Sequence, residues 1–213
     1  MKNNINGFQN ELEICNELNN KKIKDLNPMF RYFIEDLYEN ELNDEYYIKS
    51  TVDESNKKYD IVVSINNTIK RISIKRGIKN SVHVEGISSF IHFLIQNKVS
   101  RQNVIEYLKY HYADGTTNGS GKNRISSSAY KIDNQEAIDK INKQFNTEYM
   151  LLKIVDRFIL KGNISEEKID ALLYGTKKDF IWIKRNDIKD LILSKKDEYS
   201  SAVHFGPLTV QPL

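Results

Sequence analysis

The sequence has few of the residues that stabilise small secreted proteins: of 213 residues, one is cysteine, three are proline and nine are glycine. The single cysteine, Cys15, cannot form an intrachain disulfide and leaves no cysteine-rich zinc site. No segment approaches the roughly 18–20 apolar residues of a membrane helix, and the first residues lack the apolar stretch of a signal peptide. With 39% hydrophobic and 29% charged residues, we expect a globular cytoplasmic protein without a membrane partner.

A strong net charge is also missing, because 32 basic residues offset 29 acidic ones and leave +3. The charge is nevertheless unevenly distributed. Residues 1–56 carry 6 basic and 12 acidic side chains, whereas residues 57–131 carry 13 basic and 4 acidic ones. Residues 132–213 carry 13 of each sign. The basic middle third is therefore the first place to look for a site that attracts phosphate.

Hydrophobic periodicity predicts a mixture of helices and strands. Helices are expected at 6–23, 28–42, 84–97, 101–111, 134–144, 147–160, 165–173 and 187–194. Strands are expected at 46–52, 59–65, 68–75, 180–184 and 203–210. Asn66-Asn67 is a favourable pair for the tight turn of a hairpin. This order predicts a mixed α/β (α+β) fold with a small central mixed sheet flanked by helices.

The predicted hairpin brings together three side chains that can do chemistry. Asp60 begins one strand and Lys75 ends the next, so a tight turn at 66–67 places them at the same edge. Ser73 is two residues before Lys75, and residues two apart on a strand point to the same face. An ordinary salt bridge across the hairpin is the alternative interpretation of Asp60 and Lys75.

Helix geometry adds a second acid. At 100° per residue, Phe8, Leu12, Cys15 and Leu18 share one side of the first helix, and Glu11 falls within that stripe. An inward carboxylate is costly unless a metal ion or a cation lies beside it. The alternative is a surface acid.

Three segments carry a resemblance to a known family: Gly7-xxx-Glu11-xx-Ile14-xxx-Leu18, Tyr59-Asp60 and, after twelve residues, Ser73-Ile74-Lys75. The spacing resembles the PD-(D/E)XK nuclease superfamily, which includes restriction endonucleases and archaeal-type Holliday junction resolvases. The resemblance covers roughly residues 7–97. It implies a restriction-endonuclease-like core at 1–112, followed at 113–213 by a mostly helical extension for recognition or dimerisation.

The resemblance also implies a role for each motif residue. Glu11, Asp60 and the Ile74 carbonyl would hold Mg²⁺, for which Mn²⁺ is expected to substitute, and Lys75 would orient or deprotonate the attacking water. Mg²⁺ prefers hard oxygen ligands and neutralises charge that grows on phosphate oxygens. Ser73 departs from the family, in which most members have Asp or Glu. Glu85, at the start of the following helix, is the candidate substitute acid.

Cations around the hairpin are candidate contacts for the phosphates of double-stranded DNA. These residues are Arg71, Arg76 and Lys79 beside the hairpin, and Lys122 and Arg124 in the Gly/Ser-rich loop 113–128. The stretch 115–122 is similar to a Walker motif, but Thr116 and Asn123 stand where that motif needs Gly and Ser or Thr. We therefore expect no nucleotide cofactor.

The sequence thus favours a Mg²⁺-dependent DNA endonuclease, as a type II restriction or other prokaryotic defence enzyme. The resemblance implies a homodimer, because such enzymes commonly pair subunits to cut both strands. A non-catalytic nucleic-acid-binding or assembly module of the same fold is the first alternative, supported by Ser73. An RNA nuclease is the second, because phosphodiester chemistry on this scaffold does not define the sugar.

Overall fold

The computed structural model describes residues 2–39, 42–76, 85–199 and 201–210, without the side chains of residues 2–6. Its elements, in chain order, are α1 (Lys2–Leu18), α2 (Pro28–Leu37), β1 (Ile48–Val52), β2 (Ile61–Ile65), β3 (Thr68–Lys75), α3 (Ile87–Gln96), α4 (Arg101–Tyr112), α5 (Ser127–Asp133), α6 (Gln135–Phe145), α7 (Glu148–Ile154), β4 (Ala171–Thr176), β5 (Asp179–Lys184), α8 (Arg185–Ser194), β6 (His204–Phe205) and β7 (Leu208–Thr209). A short 3-10 helix, Ile23–Asp25, precedes α2, and a π-helical segment, Val155–Lys161, follows α7. This mixture confirms the predicted α+β class.

The chain divides into two compact units, each discontinuous in sequence. The sheet unit comprises Met1–Val82 and Asp156–Ile188, and the helical unit comprises His83–Val155 and Lys189–Leu213. This partition follows the three-dimensional contacts and differs from the predicted division at residues 112 and 113. That division, as a statement about domains, stays a prediction.

The sheet unit contains a five-stranded mixed sheet in the order β1-β2-β3-β4-β5. The β2–β3 hairpin is antiparallel, and its turn residues Asn66 and Asn67 have φ angles of 44° and 68°. Such left-handed angles suit asparagine and match the twist of a two-residue hairpin. Strands β3 and β4 are parallel, with Ile72 opposite Ala171, and the other pairs are antiparallel. The predicted small mixed central sheet is therefore confirmed.

The core of the sheet unit explains why α1 is fixed against the sheet. Ile14 and Leu18 of α1 are fully buried in one cluster with residues of α2 and the strands. Asn10, one helical turn before Ile14, is also buried, and its Nδ2 donates to the Gly175 carbonyl at 3.0 Å. The buried stripe of α1 thus begins at Asn10, and the prediction for Phe8 is wrong because its side chain is 48% exposed.

The segment 165–173 is not the predicted helix. Residues 165–170 are irregular, and β4 begins at Ala171. Ala171 and Leu173 alternate with partly exposed residues and are fully buried, which is the period-two pattern of a strand. Pairing with β3, about a hundred residues earlier, outweighs the local helical pattern. The predicted mostly helical C-terminal half therefore contributes two strands to the central sheet.

The helical unit has an aromatic core of its own. Phe145 stacks on Phe205 with 4.4 Å between ring centroids, and Phe90 contacts Tyr107 edge to face at 5.3 Å. The single strand predicted at 203–210 is instead a short hairpin, β6–β7, because Gly206 turns the chain with a φ of 56°. The Gly206 carbonyl accepts a hydrogen bond from Nδ1 of the buried His204 ring at 3.1 Å.

Candidate active site

Asp60 is held at the edge of the sheet where β2 begins. Its backbone N–H donates to the Ile72 carbonyl of β3 at 2.9 Å, and its own carbonyl accepts from Asp53 N–H at 2.9 Å. These two bonds fix the main chain on both sides. The carboxylate is thereby aimed at the end of β3, as the hairpin geometry predicts.

Three donors from β3 converge on one oxygen of Asp60. Oδ2 accepts from Ser73 Oγ at 3.0 Å, from the Ile74 backbone N–H and from Lys75 Nζ at 3.3 Å. The predicted convergence of Asp60, Ser73 and Lys75 is therefore confirmed. Oδ1 has no hydrogen-bond partner among the described residues, so one carboxylate oxygen remains able to bind a cation.

Ser73 and Lys75 have different surroundings although both contact Asp60. Ser73 is fully buried, and its hydroxyl orients the carboxylate from below the surface. The Lys75 side chain is 49% exposed and also donates to the Ile74 carbonyl at 3.1 Å. Ser73 therefore positions Asp60, whereas the Lys75 ammonium can reach a molecule that arrives from solvent.

Glu11 belongs to the same cluster. Burial raises the pKa of its carboxyl above the ordinary 4.5, the charge of Asp60 raises it further, and the charge of Lys75 opposes both. Its carboxylate accepts no hydrogen bond from the residues that the structure describes. Burial and the neighbouring Asp60 disfavour the charge of Glu11, which has no internal hydrogen-bond partner, and a bound cation would stabilise it.

Lys58 is a member of the cluster that the sequence reasoning missed. It lies two residues before Asp60, and it is partly buried. Burial lowers the pKa of its ammonium group, the charge of Lys75 lowers it further, and the charge of Asp60 opposes the decrease. The signal that could have identified it is its place in the basic pair Lys57-Lys58, two residues before Asp60.

A second charged cluster is centred on Glu167, whose partners include the two residues adjacent to Lys58 in the sequence. Glu167 accepts from Lys57 Nζ at 2.6 Å, from Tyr59 OH at 3.0 Å and from Arg71 Nη2 at 2.7 Å. These hydrogen bonds lower the pKa of the Glu167 carboxyl to about 2. Arg71 is a predicted DNA contact, but the structure gives its guanidinium an internal partner.

The remaining predicted residues are divided between the two units or lie outside the described residues. Arg76 follows β3 and is exposed, and Lys122 and Arg124 are exposed in the helical unit, where Arg124 donates to the His111 carbonyl at 3.2 Å. Glu85 belongs to the helical unit and accepts a hydrogen bond from Ser89 Oγ. Lys79 lies outside the described residues. The roles of these residues stay predictions.

The carboxylates of this cluster are the type of ligand that Mg²⁺ prefers, although they are few. Within the described ranges, no group of three or more His, Cys, Asp or Glu side chains comes together to hold a metal ion. Glu11 and Asp60 supply two hard oxygen donors, and Mg²⁺ commonly uses one or two carboxylates and keeps several waters. Asp60 Oδ1 and the Glu11 carboxylate, both without internal partners, are the atoms available for it.

Comparison with protein-family models and with curated proteins gives no match to this chain. Among the described helices, none combines the length and the apolar character needed to cross a membrane.

Proposed function

We propose that the chain is a Mg²⁺-dependent endonuclease that hydrolyses the phosphodiester bonds of double-stranded DNA. The observation that supports this proposal best is the cluster of Glu11, Asp60 and Lys75. In this cluster two carboxylates and an exposed ammonium group interact electrostatically. Carboxylates alone repel phosphate, and lysines alone bind it without cutting it. The combination favours cleavage, and a type II restriction or other prokaryotic defence enzyme is the proposed biological class.

Each side chain has a role in this proposal. Glu11 and Asp60 would hold the metal ion, which when bound neutralises charge on the phosphate and lowers the pKa of its own water. Ser73 and the Ile74 N–H keep the Asp60 carboxylate in one orientation. Lys75 would orient the attacking water or stabilise negative charge at the reacting phosphate. The Ile74 carbonyl, which now accepts from Lys75, remains a proposed backbone ligand.

Plasmid cleavage tests the proposal directly. Purified wild-type protein is expected to cut supercoiled DNA in Mg²⁺ or Mn²⁺ and to stop in EDTA. Asp60→Ala and Lys75→Ala should each reduce the rate about a thousandfold or more, because each removes charge stabilisation at the reacting phosphate. Lys49→Ala, on the exposed side of β1, is the control for loss of one positive charge. Cutting that survives both site substitutions would contradict the assignment.

Three further measurements define the proposed activity. Sequencing the ends of the products gives the substrate, the cut position and any recognition sequence together. The mass of the protein in solution, with and without DNA, tests the proposed homodimer. The same assay on single-stranded and structured RNA tests the alternative of an RNA nuclease.

A non-catalytic nucleic-acid-binding module is the second candidate, and Ser73 favours it. Where most family members have a third acid, Ser73 is buried and donates to Asp60. If Glu85 does not replace that acid, the described residues supply two acidic donors, Glu11 and Asp60, at the site. Binding of DNA without cutting, across both Mg²⁺ and Mn²⁺, is the result that would select this candidate.

A further inference from the structure

The two edges of the five-stranded sheet differ, and β1, which forms one of them, is covered. Asn20 N–H donates to the Ile48 carbonyl at 2.8 Å, and Ile48 N–H donates to the Lys21 carbonyl at 2.9 Å. Ser50 N–H donates to Asn19 Oδ1 at 3.1 Å. The segment after α1 therefore occupies main-chain groups of β1 that another strand would need.

The opposite edge, β5, is open. Arg185, directly after β5, donates its N–H to the Asp170 carbonyl at 2.9 Å and so extends the pairing with β4 by one residue. Alternate residues of an antiparallel strand direct their main-chain groups to opposite sides. Those of Phe180, Trp182 and Lys184 therefore point away from β4, and within the described ranges no group outside the sheet forms a hydrogen bond with them. Such a row of free N–H and C=O groups is a template for a further strand.

Apolar side chains flank this open edge on both faces of the sheet. On the face that packs against α2, the Trp182 ring contacts Tyr32 at 5.3 Å between centroids, and Tyr32 is 65% exposed. Ile181, which alternates with Trp182, is 70% exposed on the other face. Proteins commonly protect an edge strand with lysines, proline or a covering segment. The central residues of β5, Phe-Ile-Trp-Ile, include neither lysine nor proline.

We propose that β5 pairs antiparallel with β5 of a second copy of this chain, about a twofold axis at Trp182. This register places the two Trp182 residues opposite each other and Ile181 opposite Ile183 of the second copy, which are favourable cross-strand pairs. It also places the exposed Asp179 next to Arg185 of the second copy. Opposite charges therefore meet at both ends of the paired strands.

Charge supports a second copy as the occupant and fixes the register. Asp179 forms no ion pair with any other residue that the structure describes, so it is available to a cation across the axis. A shift of the axis to Ile181 would place Lys178 next to Lys184 of the second copy, and like charges disfavour that register. Because β1 is covered, each copy offers one open edge, and the pairing closes at two chains.

The inference rests on the proposed function in one respect, since it names the surface of the proposed homodimer, but its test needs no cleavage. Ile181→Lys adds a charge on each side of the axis and changes an exposed side chain. Light scattering over a dilution series should give twice the mass of one chain for the wild type. The variant should have a dimer Kd about a hundredfold higher or more.

A second isoleucine of the same sheet provides the matched control. Ile69 is 50% exposed on β3, an inner strand. Ile69→Lys makes the same substitution away from the β5 edge and should leave the protein dimeric. Circular dichroism of both variants should match the wild type.

A disulfide tests the register without adding charge. Ile181 and Ile183 of the second copy would occupy a non-hydrogen-bonded pair, in which Cα atoms are about 4.5 Å apart, within the range of a disulfide. A variant with both Ile181→Cys and Ile183→Cys should form a covalent dimer on a non-reducing gel. Ile69→Cys should not, and the native Cys15 is buried.

Several outcomes would overturn the proposal. A wild-type protein that is monomeric at every concentration would show that β5 does not pair with its copy. A dimer that persists in Ile181→Lys, or that forms no disulfide in the double cysteine variant, would use another surface. Assemblies larger than two chains would contradict a closed pair. Plasmid cleavage is decided separately: a wild-type dimer that cuts no DNA refutes the nuclease alone, and a monomer that cuts DNA refutes the β5 pairing alone.

Discussion

Two charged clusters flank the segment that leads into β2, and they differ in how their charges are compensated. Around Glu167, one carboxylate meets Lys57, Tyr59 and Arg71, and the pKa of the acid falls to about 2. Around Asp60, the pKa of Glu11 rises and the pKa of Lys58 falls. In the first cluster, partners within the chain favour the charged form. In the second, both groups are shifted toward their neutral forms.

This difference separates a structural ion cluster from a candidate active site. If stability alone mattered, Glu11 and Lys58 would each have a partner of opposite charge within the chain, as Glu167 has in Lys57 and Arg71. Groups whose charged forms are disfavoured lower the stability of the free protein, and a ligand can recover that stability on binding. We therefore expect substitutions around Asp60 to change mainly function, and substitutions around Glu167 to change mainly stability.

Among the effects that follow from comparing the two clusters, the largest is the expected loss of cleavage in Glu11→Gln. The substitution removes one proposed metal ligand and should reduce kcat/KM about a hundredfold or more, because the lost charge stabilisation amounts to several kcal/mol. Initial rates of plasmid cleavage in Mg²⁺ measure it. Glu13→Gln, also on α1 but paired with Lys177 at 3.5 Å, is the control and should cut normally. Equal rates for wild type and Glu11→Gln would remove Glu11 from the site.

Metal binding should produce the next largest effect, now on stability. Mg²⁺ that binds only the folded state at one hundred times Kd adds about 2.7 kcal/mol. For a chain of this size that is an increase of about 5–10 °C in Tm. Differential scanning calorimetry with Mg²⁺ and then EDTA measures the shift and its reversal. Glu11→Gln should lose most of it, and a shift of equal size in that variant would place the metal elsewhere.

Two buried serines of the sheet give a smaller and more specific contrast. Ser73→Ala removes the 3.0 Å hydrogen bond to Asp60 and should lower the free energy of unfolding by about 1 kcal/mol. Cleavage should slow about tenfold, because the carboxylate loses one of its orienting donors. Ser50 Oγ is buried without a partner among the described residues, so Ser50→Ala should leave both quantities unchanged or raise stability slightly. Urea unfolding measures the stability of the two variants, and plasmid cleavage measures their rates.

The smallest expected effect is the pH dependence of the Glu167 cluster. The folded-state pKa of Glu167 is about 2, below the ordinary 4.5. The ionised acid therefore stabilises the fold above about pH 4.5, and this stabilisation is lost as the pH falls toward 2. Glu167→Gln should lower Tm modestly at pH 7, and the difference from wild type should shrink in acid. A difference that grows as the pH falls would contradict the assignment.

Local sequence patterns predicted the part of the candidate site that depends on residues close together in the chain. The Asn66-Asn67 turn and the period of two along β3 bring Asp60 to Ser73 and Lys75, and the helical period turns Glu11 inward. The sequence could not reveal β4, because Ala171 forms a strand only by pairing with Ile72. It could not reveal the Glu167 cluster either, since Arg71 and Glu167 are 96 residues apart. Contacts over that distance depend on the completed fold.

The parallel pairing of β3 with β4 has a consequence for how the protein is made. The whole of residues 83–155 is synthesised between these neighbouring strands, and Asn10 reaches its partner Gly175 across 165 residues. At translation rates of about 5–20 residues per second, β4 leaves the ribosome about 5–20 s after β3. Until then, α1 and the β2–β3 hairpin lack the strand that completes their sheet. The order of synthesis thus delays completion of the central sheet until most of the chain exists.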